Sequence, residues 1–387
     1  MSGRGVEVGY AKFYSRCSLL PVVSLRGGDA SLKIVNCLFA AELAGLEQAF
    51  VDYSEALQAR GHELLNFVVP RAKVIEPLTE LRSPYWEVAN FNQYDILAIM
   101  RIRRRLISER PDVVIAHGNR AINLVMPAVK RVAPFIAVNQ HINLRRTVGA
   151  DFAIAVNENM RSRLIEAGQP VDRVYKFFNM VRRPAAPPPP APLKSPPVIA
   201  AMGRFVAKKG FEVFIEALGR LRDEGVEFRG MLAGGGELDG ELKARAAARG
   251  LGERLLFPGW VTDKVAFFAK ADIFCFTSSH DVCPVVLLEA FVNAKPVIMT
   301  DCPGPREISE DGVDSLLFPI DDASALAMRI RALIEDPARA LRLAGAAQQK
   351  ILERHTFEQG GAQLEAIARD VAARWTSARP TRPPAAA

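Results

Sequence analysis

Residues 272–300 read DIFCFTSSHDVCPVVLLEAFVNAKPVIMT, and this stretch decides the fold. Its pattern predicts a buried strand at 272–276, a polar loop at 277–284 that ends in proline, a helix at 285–294 and a buried strand from 296. This order is a β–loop–α–β unit. In open α/β sheets, ligands bind beyond the carboxyl ends of such strands. The sequence therefore predicts a binding site in the loop between the first strand and the helix.

Two acidic residues lie at this predicted site, Asp281 in the loop and Glu289 within an otherwise apolar helix. The free backbone N–H groups at 285–287, together with the helix dipole, suit a phosphate. A carboxylate among apolar side chains is costly to bury alone, and sugar or ribose hydroxyls are suitable partners. In the alternative interpretation, Glu289 only complements the helix dipole and Asp281 only caps the helix.

The composition is that of an ordinary soluble globular protein, since 49% of the 387 residues are hydrophobic and 24% are charged. This length is sufficient for two domains. The five cysteines form no CxxC pair and no His-linked spacing, so no structural metal is expected. An odd, scattered number of cysteines fits a reducing cytoplasm. No apolar run reaches the roughly 18 residues that a membrane span needs.

The two ends of the chain are expected to be disordered. Residues 1–31 carry basic residues before an apolar run, which resembles a signal peptide faintly. Pro21 interrupts that run and no small-residue cleavage site follows, so a disordered leader is the better interpretation. A disordered tail is expected at 377–387.

The net charge of +7 is unevenly distributed. Residues 1–190 hold 25 lysines and arginines against 17 acids, whereas residues 191–387 hold 25 against 26. The basic residues are densest at 101–105, which read RIRRR. This cluster could face anionic lipid headgroups or an acidic acceptor, or it could be a solvated basic face. Nucleic acid is not expected as a partner, because basic and aromatic residues do not interleave.

The N-terminal half alternates predicted strands with helices, which is typical of a parallel, doubly wound sheet. A helix is predicted at 46–60, and strands at 32–38, 63–69, 111–116, 133–138 and 151–156. His117 follows one of these strands and precedes Gly118. It is either a core histidine with one satisfied nitrogen or a residue of the binding site.

A proline-rich linker at 184–197 separates the two halves. A strand is predicted at 198–202, followed by the turn GRFVAKKG at 203–210 and a helix at 211–222. Arg204 and Lys209 in this turn can both reach a diphosphate, the arginine as a planar fork and the lysine as a point charge.

A glycine run at 234–236 follows the next predicted strand, at 228–233. Asp239 stands where a dinucleotide fingerprint has its third glycine, so a tight structural turn is the better interpretation. A further strand at 255–257 leads into the loop that contains Trp260. Residues 337–375 are predicted to be helical, with a break at 355–357.

From about residue 32 to 375 the chain resembles retaining glycosyltransferases of the GT-B fold, specifically glycosyltransferase family 4 of the bacterial lipopolysaccharide and polysaccharide type. The resemblance rests on GRFVAKKG, AGGGEL, FPGWV, the D-x7-E spacing of Asp281 and Glu289, and AKPVIMTDCPGPREI. It implies an α/β architecture of two Rossmann-like, doubly wound parallel-sheet domains that face each other across a cleft. The implied parts are an acceptor-binding domain at 32–183, a nucleotide-sugar-binding domain at 198–355 and a C-terminal crossover helix at 356–376.

The resemblance also implies roles for individual residues. Arg204 and Lys209 hold the donor diphosphate, Glu289 binds the ribose hydroxyls, and Asp281 lies against the donor sugar. His117 faces that sugar from the N-terminal domain, and the small residues Ala44 and Gly45 let the backbone approach the phosphate. The expected catalytic group is Asp281, His117, Arg204 and Lys209, and the expected donor contacts include Gly45, Gly234, Trp260, Val286 and Leu287.

Two stretches depart from the family pattern. Asp281-Val282-Cys283 stands where Glu-Gly-Phe is usual, and Ala44-Gly45 stands where Gly-Gly is usual. These departures leave the identity of the donor sugar and the turnover rate undetermined, whereas the expected fold is unaffected.

The implied reaction transfers a sugar from a nucleotide-diphosphate donor, expected to be a UDP-sugar, to a hydroxyl of a glycan or lipid-linked acceptor. The chain has no Asp-x-Asp pair, so neither a metal nor another cofactor is expected. The expected location is the cytoplasm or the inner face of the cytoplasmic membrane. One alternative is a nucleotide-sugar epimerase, whose extra acid–base groups would have to be His117 and His141. The other alternative is a non-catalytic scaffold that binds sugar nucleotides.

Overall fold

The computed structural model describes residues 30–42, 45–139, 144 and 146–378. The expected leader at 1–31 and tail at 377–387 lie almost entirely outside these residues. Ala44 and His141 lie outside them as well.

Seven described strands of the N-terminal half form one sheet. They are β1 (Lys33–Leu38), β2 (Glu63–Val68), β3 (Tyr85–Glu87), β4 (Val113–His117), β5 (Phe135–Asn139), β6 (Phe152–Ala155) and β7 (Val174–Lys176). All neighbours are parallel, in the order β3-β2-β1-β4-β5-β6-β7. The central strands are mostly apolar because both faces of a parallel sheet are covered by helices, although Asn36 of β1 and His117 of β4 are buried within them.

The described helices of this half are α1 (Gly45–Ala59), α2 (Ile75–Glu80), α3 (Ile96–Glu109), α4 (Gly118–Val129) and α5 (Glu158–Glu166). Two of these helices begin with a residue whose side chain caps the helix. Asp95 accepts a hydrogen bond from the Ala98 N–H at α3, and Asn157 accepts one from the Met160 N–H at α5. Such caps satisfy amides that have no partner inside the helix.

The C-terminal half contains a six-stranded parallel sheet in its described residues. Its strands are β8 (Val198–Arg204), β9 (Arg229–Gly235), β10 (Leu255–Gly259), β11 (Ile273–Phe276), β12 (Val297–Thr300) and β13 (Leu316–Phe318), in the order β10-β9-β8-β11-β12-β13. The helices around it are α6 (Phe211–Asp223), α7 (Asp239–Ala248), α8 (Lys264–Lys270), α9 (Val285–Val292), α10 (Pro303–Arg306), α11 (Ala323–Glu335) and α12 (Pro337–Arg354), and the last helix of the chain is α13 (Phe357–Ala378).

The two parallel-sheet α/β domains confirm the predicted fold class. The unit β11–loop–α9–β12 forms as residues 272–300 indicate, and α12 and α13 are separated near the predicted break. The expected domain boundaries stay predictions.

Each sheet reverses its strand order at one point. In the N-terminal sheet this point lies between β1 and β4, whose last residues Leu38 and His117 are register partners. In the C-terminal sheet it lies between β8 and β11. Ligands of open α/β sheets bind outside the strand ends at such points, so the fold places the binding sites there.

Helix α13 returns from the C-terminal half to the N-terminal core. Leu364, Ile367, Ala368 and Val371 of α13 pack in one buried cluster with Ile34 of β1 and Tyr53 of α1. An ion pair between Arg60 and Glu365 ties α13 to the end of α1. Residues of both halves thus share one core. Among the described residues, no helix has the length and apolar character needed to cross a membrane.

Candidate active site

Two loops at the carboxyl edge of the C-terminal sheet are bound to each other. The Thr277 hydroxyl donates to the carbonyl of Lys209 at 2.8 Å, and the Ser279 N–H donates to the carbonyl of Lys208 at 3.0 Å. Gly210 has a φ of 61°, and a Cβ there would lie 2.3 Å from the Thr277 carbonyl oxygen. The turn that carries Lys209 is therefore held against the loop that carries Asp281, and only glycine fits at its end.

The structure brings Lys209 and Asp281 together. Lysine Nζ lies 2.7 Å from aspartate Oδ2, and both side chains are 17% exposed. The same Nζ lies 5.6 Å from the ring centroid of Phe276, at the end of β11. Arg204 ends β8 and is exposed, and no described residue forms an ion pair with its guanidinium. The two predicted diphosphate cations thus lie at one sheet edge, one of them already neutralised by the predicted sugar-binding acid.

The start of α9 shows that Asp281 is not a helix cap. Pro284 is the N-cap residue and no side chain caps this helix, so the alternative interpretation of Asp281 is wrong. The Leu287 N–H donates to the Pro284 carbonyl at 3.1 Å. Leu287 is buried and Val286 is half-buried. The amide of Leu287 is thus engaged inside the first turn, and its predicted contact with a donor stays a prediction.

Glu289 is held by a residue that the sequence analysis missed. Its Oε1 lies 2.5 Å from Nζ of Lys264, the first residue of α8, and the glutamate side chain is only 15% exposed. The lysine offsets the cost of burying a carboxylate beside apolar neighbours. The only sequence signal for this pair was a lysine just after the β10 loop. That signal was weak, because nothing in the sequence shows that the start of α8 lies close to the middle of α9.

The first two glycines of the run at 234–236 are the last residues of β9, where Gly234 and Gly235 pair with Gly203 and Arg204 of β8. Gly234 has a φ of 141°, and a Cβ there would lie 1.8 Å from the Gly203 carbonyl oxygen. The Phe205 N–H donates to the carbonyl of Gly235 at 2.8 Å. The predicted tight turn is thus wrong for Gly234 and Gly235, which continue the strand and place Gly234 beside Gly203 and next to Arg204.

Trp260 lies in the loop that leads from β10 to α8. Its side chain is exposed and follows β10, an edge strand two positions away from β8. Its predicted donor contact stays a prediction. Gly45, the first residue of α1, is exposed, and a Cβ there would meet no atom within 4 Å. A larger side chain would therefore fit at this position, and lack of space does not explain the glycine.

His117 is buried without a hydrogen-bond partner on either ring nitrogen among the described residues. The residue is 1% exposed, and its ring packs edge-on against Phe50 and Tyr53 of α1 at centroid distances of 5.6 and 4.8 Å. Burial lowers the pKa of His117 to about 3, so the imidazole is neutral near pH 7. The interpretation as a core histidine with one satisfied nitrogen is wrong for the described part of the chain. Buried polar atoms without partners are rare and indicate a missing partner.

Asp52 on α1 is a second acid that the sequence analysis missed. It is 5% exposed and accepts a hydrogen bond from the Gln48 side chain at 2.9 Å. Burial, helped by the nearby carboxylates of Glu55 and Glu289, raises the pKa of Asp52 to about 7, against the hydrogen bond from Gln48 and the charge of Arg182. The available signal was a lone acid within the apolar run AFVDY at 49–53. The charge of Glu289 thus reaches across from the C-terminal half to α1.

Two asparagines of the N-terminal half hold the loop that follows Asp281. The Asn157 side chain donates to the Val282 carbonyl at 2.7 Å, and the Asn179 side chain donates to the Cys283 carbonyl at 3.0 Å. The Asn179 N–H also donates to the Cys283 thiol sulfur at 3.2 Å. Cys283 is buried among apolar side chains of β6, α5 and β7. Val282 and Cys283, two of the residues that depart from the family pattern, therefore contact the N-terminal half.

Glu307 adds a second contact at the same place. Its carboxylate accepts hydrogen bonds from the N–H groups of Glu158 at 2.8 Å and of Asn159 at 3.2 Å. These amides belong to the first turn of α5, whose dipole favours a negative charge. Within the described residues, no three His, Cys, Asp or Glu side chains are grouped so that they could hold a metal ion.

Known proteins share sequence and fold with this chain. Residues 43–183 match the family described as Glycosyltransferase Family 4, and residues 183–350 match the one described as Glycosyl transferases group 1. The lipopolysaccharide core biosynthesis glycosyltransferase LpsE of Rhizobium meliloti (strain 1021) is 30% identical over 321 residues, which cover 81% of the chain and 92% of that relative. The chain belongs to glycosyltransferase family 4.

This family 4 glycosyltransferase has other relatives of similar length. LpsD of Rhizobium meliloti (strain 1021), also named a lipopolysaccharide core biosynthesis glycosyltransferase, is 28% identical over 84% of the chain and 94% of the relative. Anabaena HepE in complex with UDP and glucose has a TM-score of 0.76 at 20% identity, covering 87% of the chain and 99% of that protein. The lipopolysaccharide outer core galactosyltransferase WaaB has a TM-score of 0.73 at 17% identity, covering 88% and 99%. These structural likenesses show the GT-B fold.

Proposed function

We propose that this glycosyltransferase transfers a hexose from a UDP-sugar to a hydroxyl of a glycan or lipid-linked acceptor in lipopolysaccharide or polysaccharide synthesis, with retention at the anomeric carbon. The observation that carries the proposal is the Lys209–Asp281 ion pair at the point where the C-terminal sheet reverses its strand order. The names of LpsE and LpsD support the pathway, and the UDP complex of HepE supports the base.

The site can supply charge where the leaving group develops it. In the proposed step the bond from the anomeric carbon to the diphosphate oxygen breaks, and a bond to the acceptor oxygen forms on the same face. Attack on this face is proposed because the family resemblance offers no enzymic nucleophile. The departing diphosphate assists by accepting the proton of the acceptor hydroxyl. Arg204 and Lys209 neutralise the diphosphate, and preorganised cations of this kind lower the barrier electrostatically.

The remaining site residues have positioning roles in this proposal. Glu289 binds the ribose hydroxyls through the oxygen that does not face Lys264, and Asp281 binds the donor sugar. His117, held neutral by burial, presents a ring nitrogen to the sugar or the acceptor. We propose that no metal and no other cofactor takes part, because Arg204 and Lys209 provide the positive charge and the sequence has no Asp-x-Asp pair.

We propose a location in the cytoplasm, with peripheral contact to the inner face of the membrane through the basic N-terminal half. The four described cysteines are buried and free, which suits a reducing compartment. The excess of lysine and arginine in residues 1–190 suits anionic lipid.

Two other functions are separable by assay. A nucleotide-sugar epimerase would convert its donor without an acceptor and without net release of nucleotide. A non-catalytic scaffold would bind the nucleotide sugar and leave it intact. The transferase releases UDP in the presence of acceptor and some UDP by slow hydrolysis in its absence.

The testing experiment is a thermal-shift screen of UDP-, GDP- and ADP-sugars, followed by an assay of nucleotide release. A ligand at a hundred times its dissociation constant stabilises the fold by about 2.7 kcal/mol, which raises the melting temperature by several degrees. We expect this shift with UDP and at least one UDP-hexose, and UDP release from that hexose. No shift with any nucleoside diphosphate would contradict the proposal.

A further inference from the structure

Helix α3 has a second apolar face that points away from the protein. Its inward face consists of Ala98, Ile102 and Leu106, each fully buried. Met100 lies two positions from Ile102 and so points in the opposite direction, at about 100° per residue. A surface helix is expected to be polar there.

The outward face nevertheless carries large apolar side chains. Ile96 is 70% exposed and Leu97 is 67% exposed, and Met100 and Ile107 are exposed along the same side. Phe91, which is 94% exposed, precedes the helix. We name these five residues, together with two arginines of the same helix, the α3 surface: Phe91, Ile96, Leu97, Met100, Arg101, Arg104 and Ile107.

The aromatic ring of this surface is presented by a fixed loop. Asp95 accepts a hydrogen bond from the Phe91 N–H at 3.1 Å through one carboxylate oxygen, and one from the Ala98 N–H at 3.0 Å through the other. One carboxylate thus caps α3 and holds the loop. The exposure of Phe91 belongs to an ordered part of the fold.

The arginines of the α3 surface keep their positive charge. Arg104 forms no ion pair with any described residue, and Arg101 donates only to the carbonyls of Leu97 and Ala89, at 3.3 Å each. The single acid of α3, Glu109, is paired with Lys33 and Arg105. Glu109 is thus engaged elsewhere, whereas the N-cap carboxylate of Asp95 lies close enough to Arg101 to interact with its charge.

We propose that the α3 surface docks on an anionic membrane, with its apolar side chains in the acyl boundary and its arginines at the lipid phosphates. This deepens the membrane contact of the proposed function and names the face that makes it. Aliphatic and aromatic side chains flanked by arginines, with no free acid on the helix, match an anionic lipid interface. A second copy of the chain fits poorly, because a two-fold contact through this face would oppose its arginines.

The test uses the full chain and vesicles of phosphatidylcholine with and without phosphatidylglycerol, measured by co-sedimentation. The apolar variant is Phe91→Ser with Leu97→Ser. Its matched control is Leu256→Ser with Met328→Ser, two exposed apolar residues of the C-terminal half. We expect the apolar variant to bind phosphatidylglycerol vesicles about tenfold more weakly than wild type, and the control to bind within about twofold of it.

The charged variant is Arg101→Gln with Arg104→Gln, and its control is Arg220→Gln on the exposed side of α6. Binding of wild type should fall steeply with salt, since exposed charges are screened beyond about 10 Å at 0.1 M. The charged variant should bind more weakly at low salt and depend less on salt, and the control should behave as wild type.

Three outcomes would overturn the inference: no wild-type binding to phosphatidylglycerol vesicles at low salt, equal binding by the apolar variant, or salt-insensitive binding. Dimerisation of wild type that the apolar variant abolishes would also overturn it, since the face would then bind a second copy. Donor hydrolysis without vesicles should be the same in all variants. Failure of docking is therefore distinct from failure of the proposed transferase activity.

Discussion

The ion pair between Lys209 and Asp281 links two groups that the family resemblance assigns to different parts of the donor. A diphosphate placed against Lys209 competes with Asp281 for the same ammonium group. We infer that donor binding releases the Asp281 carboxylate toward the sugar hydroxyls. In this proposal, recognition of the sugar depends on occupation of the diphosphate position.

At the residue scale, the first prediction concerns the two cations. Arg204→Ala and Lys209→Ala should each lower kcat/KM for the donor by about 10- to 100-fold, because each removes a charge-assisted contact worth about 1.5–3 kcal/mol. Lys208→Ala is the matched control, since Lys208 is exposed in the same turn. Steady-state kinetics on an identified donor checks this, with melting temperatures to confirm folding. Near-normal kinetics in both variants would place the diphosphate elsewhere.

A second residue-scale prediction follows from the raised pKa of Asp52, about 7. The folded protein holds the proton between pH 4 and 7 while the unfolded chain releases it, so the contribution of Asp52 to stability falls as pH rises through this range. Asp52→Asn mimics the protonated acid and should therefore stabilise the fold more at pH 8 than at pH 5. Asp321→Asn, at an exposed turn, should show no such difference.

Urea denaturation of both variants at the two pH values measures this effect. An equal change in the free energy of unfolding for Asp52→Asn at pH 5 and pH 8 would show that Asp52 is ionised in the fold across this range.

The sequence identified Arg204, Lys209, Asp281 and Glu289 because each lies just beyond a strand end or in the helix that follows it. The partner of Glu289 could not be found in this way, because Lys264 lies on a different helix and approaches only in the folded chain. The helix-cap interpretation of Asp281 failed for a similar reason, since the pairing with Lys209 joins residues 72 positions apart.

At the element scale, the loop after Asp281 and helix α5 act together. Asn157 caps α5 through its side-chain oxygen and holds the Val282 carbonyl through its side-chain nitrogen. Gly304 completes the support, because a Cβ there would lie 2.3 Å from the Asp281 carbonyl oxygen. The position of Asp281 thus depends on both halves of the molecule.

Asn157→Asp separates these two roles and gives the third prediction. A carboxylate can still cap α5, whereas it cannot donate to Val282 and would repel that carbonyl. We expect a melting temperature close to that of wild type, unchanged affinity for UDP, and kcat lower by about tenfold, the size of one lost buried hydrogen bond.

The matched control is Asn92→Asp, whose side chain accepts a hydrogen bond from the Tyr94 N–H on the exposed surface. It introduces the same charge in the same half of the chain and should leave kcat unchanged. If Asn157→Asp keeps wild-type kcat, the contact between the halves does not position Asp281.

The interior strands of both sheets, and the five-residue edge strand β10, could be predicted from the sequence. The strands that the sequence analysis did not find are β3, β7 and β13, each three residues long and each at the edge of its sheet. An edge strand pairs on one side only and leaves a weak pattern, because short edges avoid further pairing. The central strands carry continuous apolar runs and were therefore recognisable.

At the scale of the whole molecule, the N-terminal and C-terminal halves contact each other through residues 281–283, Glu307 and helix α13. The sequence indicated the two sheets, since a strand-and-helix alternation restarts after the proline-rich linker. It could not indicate that Cys283 is buried and Val282 partly buried against the N-terminal half, because their role depends on how the halves pack. Burial of Cys283 raises the pKa of its thiol well above the usual range, so this contact is made by a neutral group.

Transfer by Asp281→Ala is the measurement that tests the central claim most directly, namely that the Lys209–Asp281 pair holds the donor. Turnover of a UDP-hexose is compared between wild type, Asp281→Ala, Asp281→Asn and Asp281→Glu, with UDP affinity measured in parallel. We predict that Asp281→Ala and Asp281→Asn lose most transfer while they bind UDP at least as tightly as wild type, because Lys209 is then free for the diphosphate. Asp281→Glu should also be slower, since the site fits the shorter side chain. Wild-type turnover by Asp281→Ala would contradict the account.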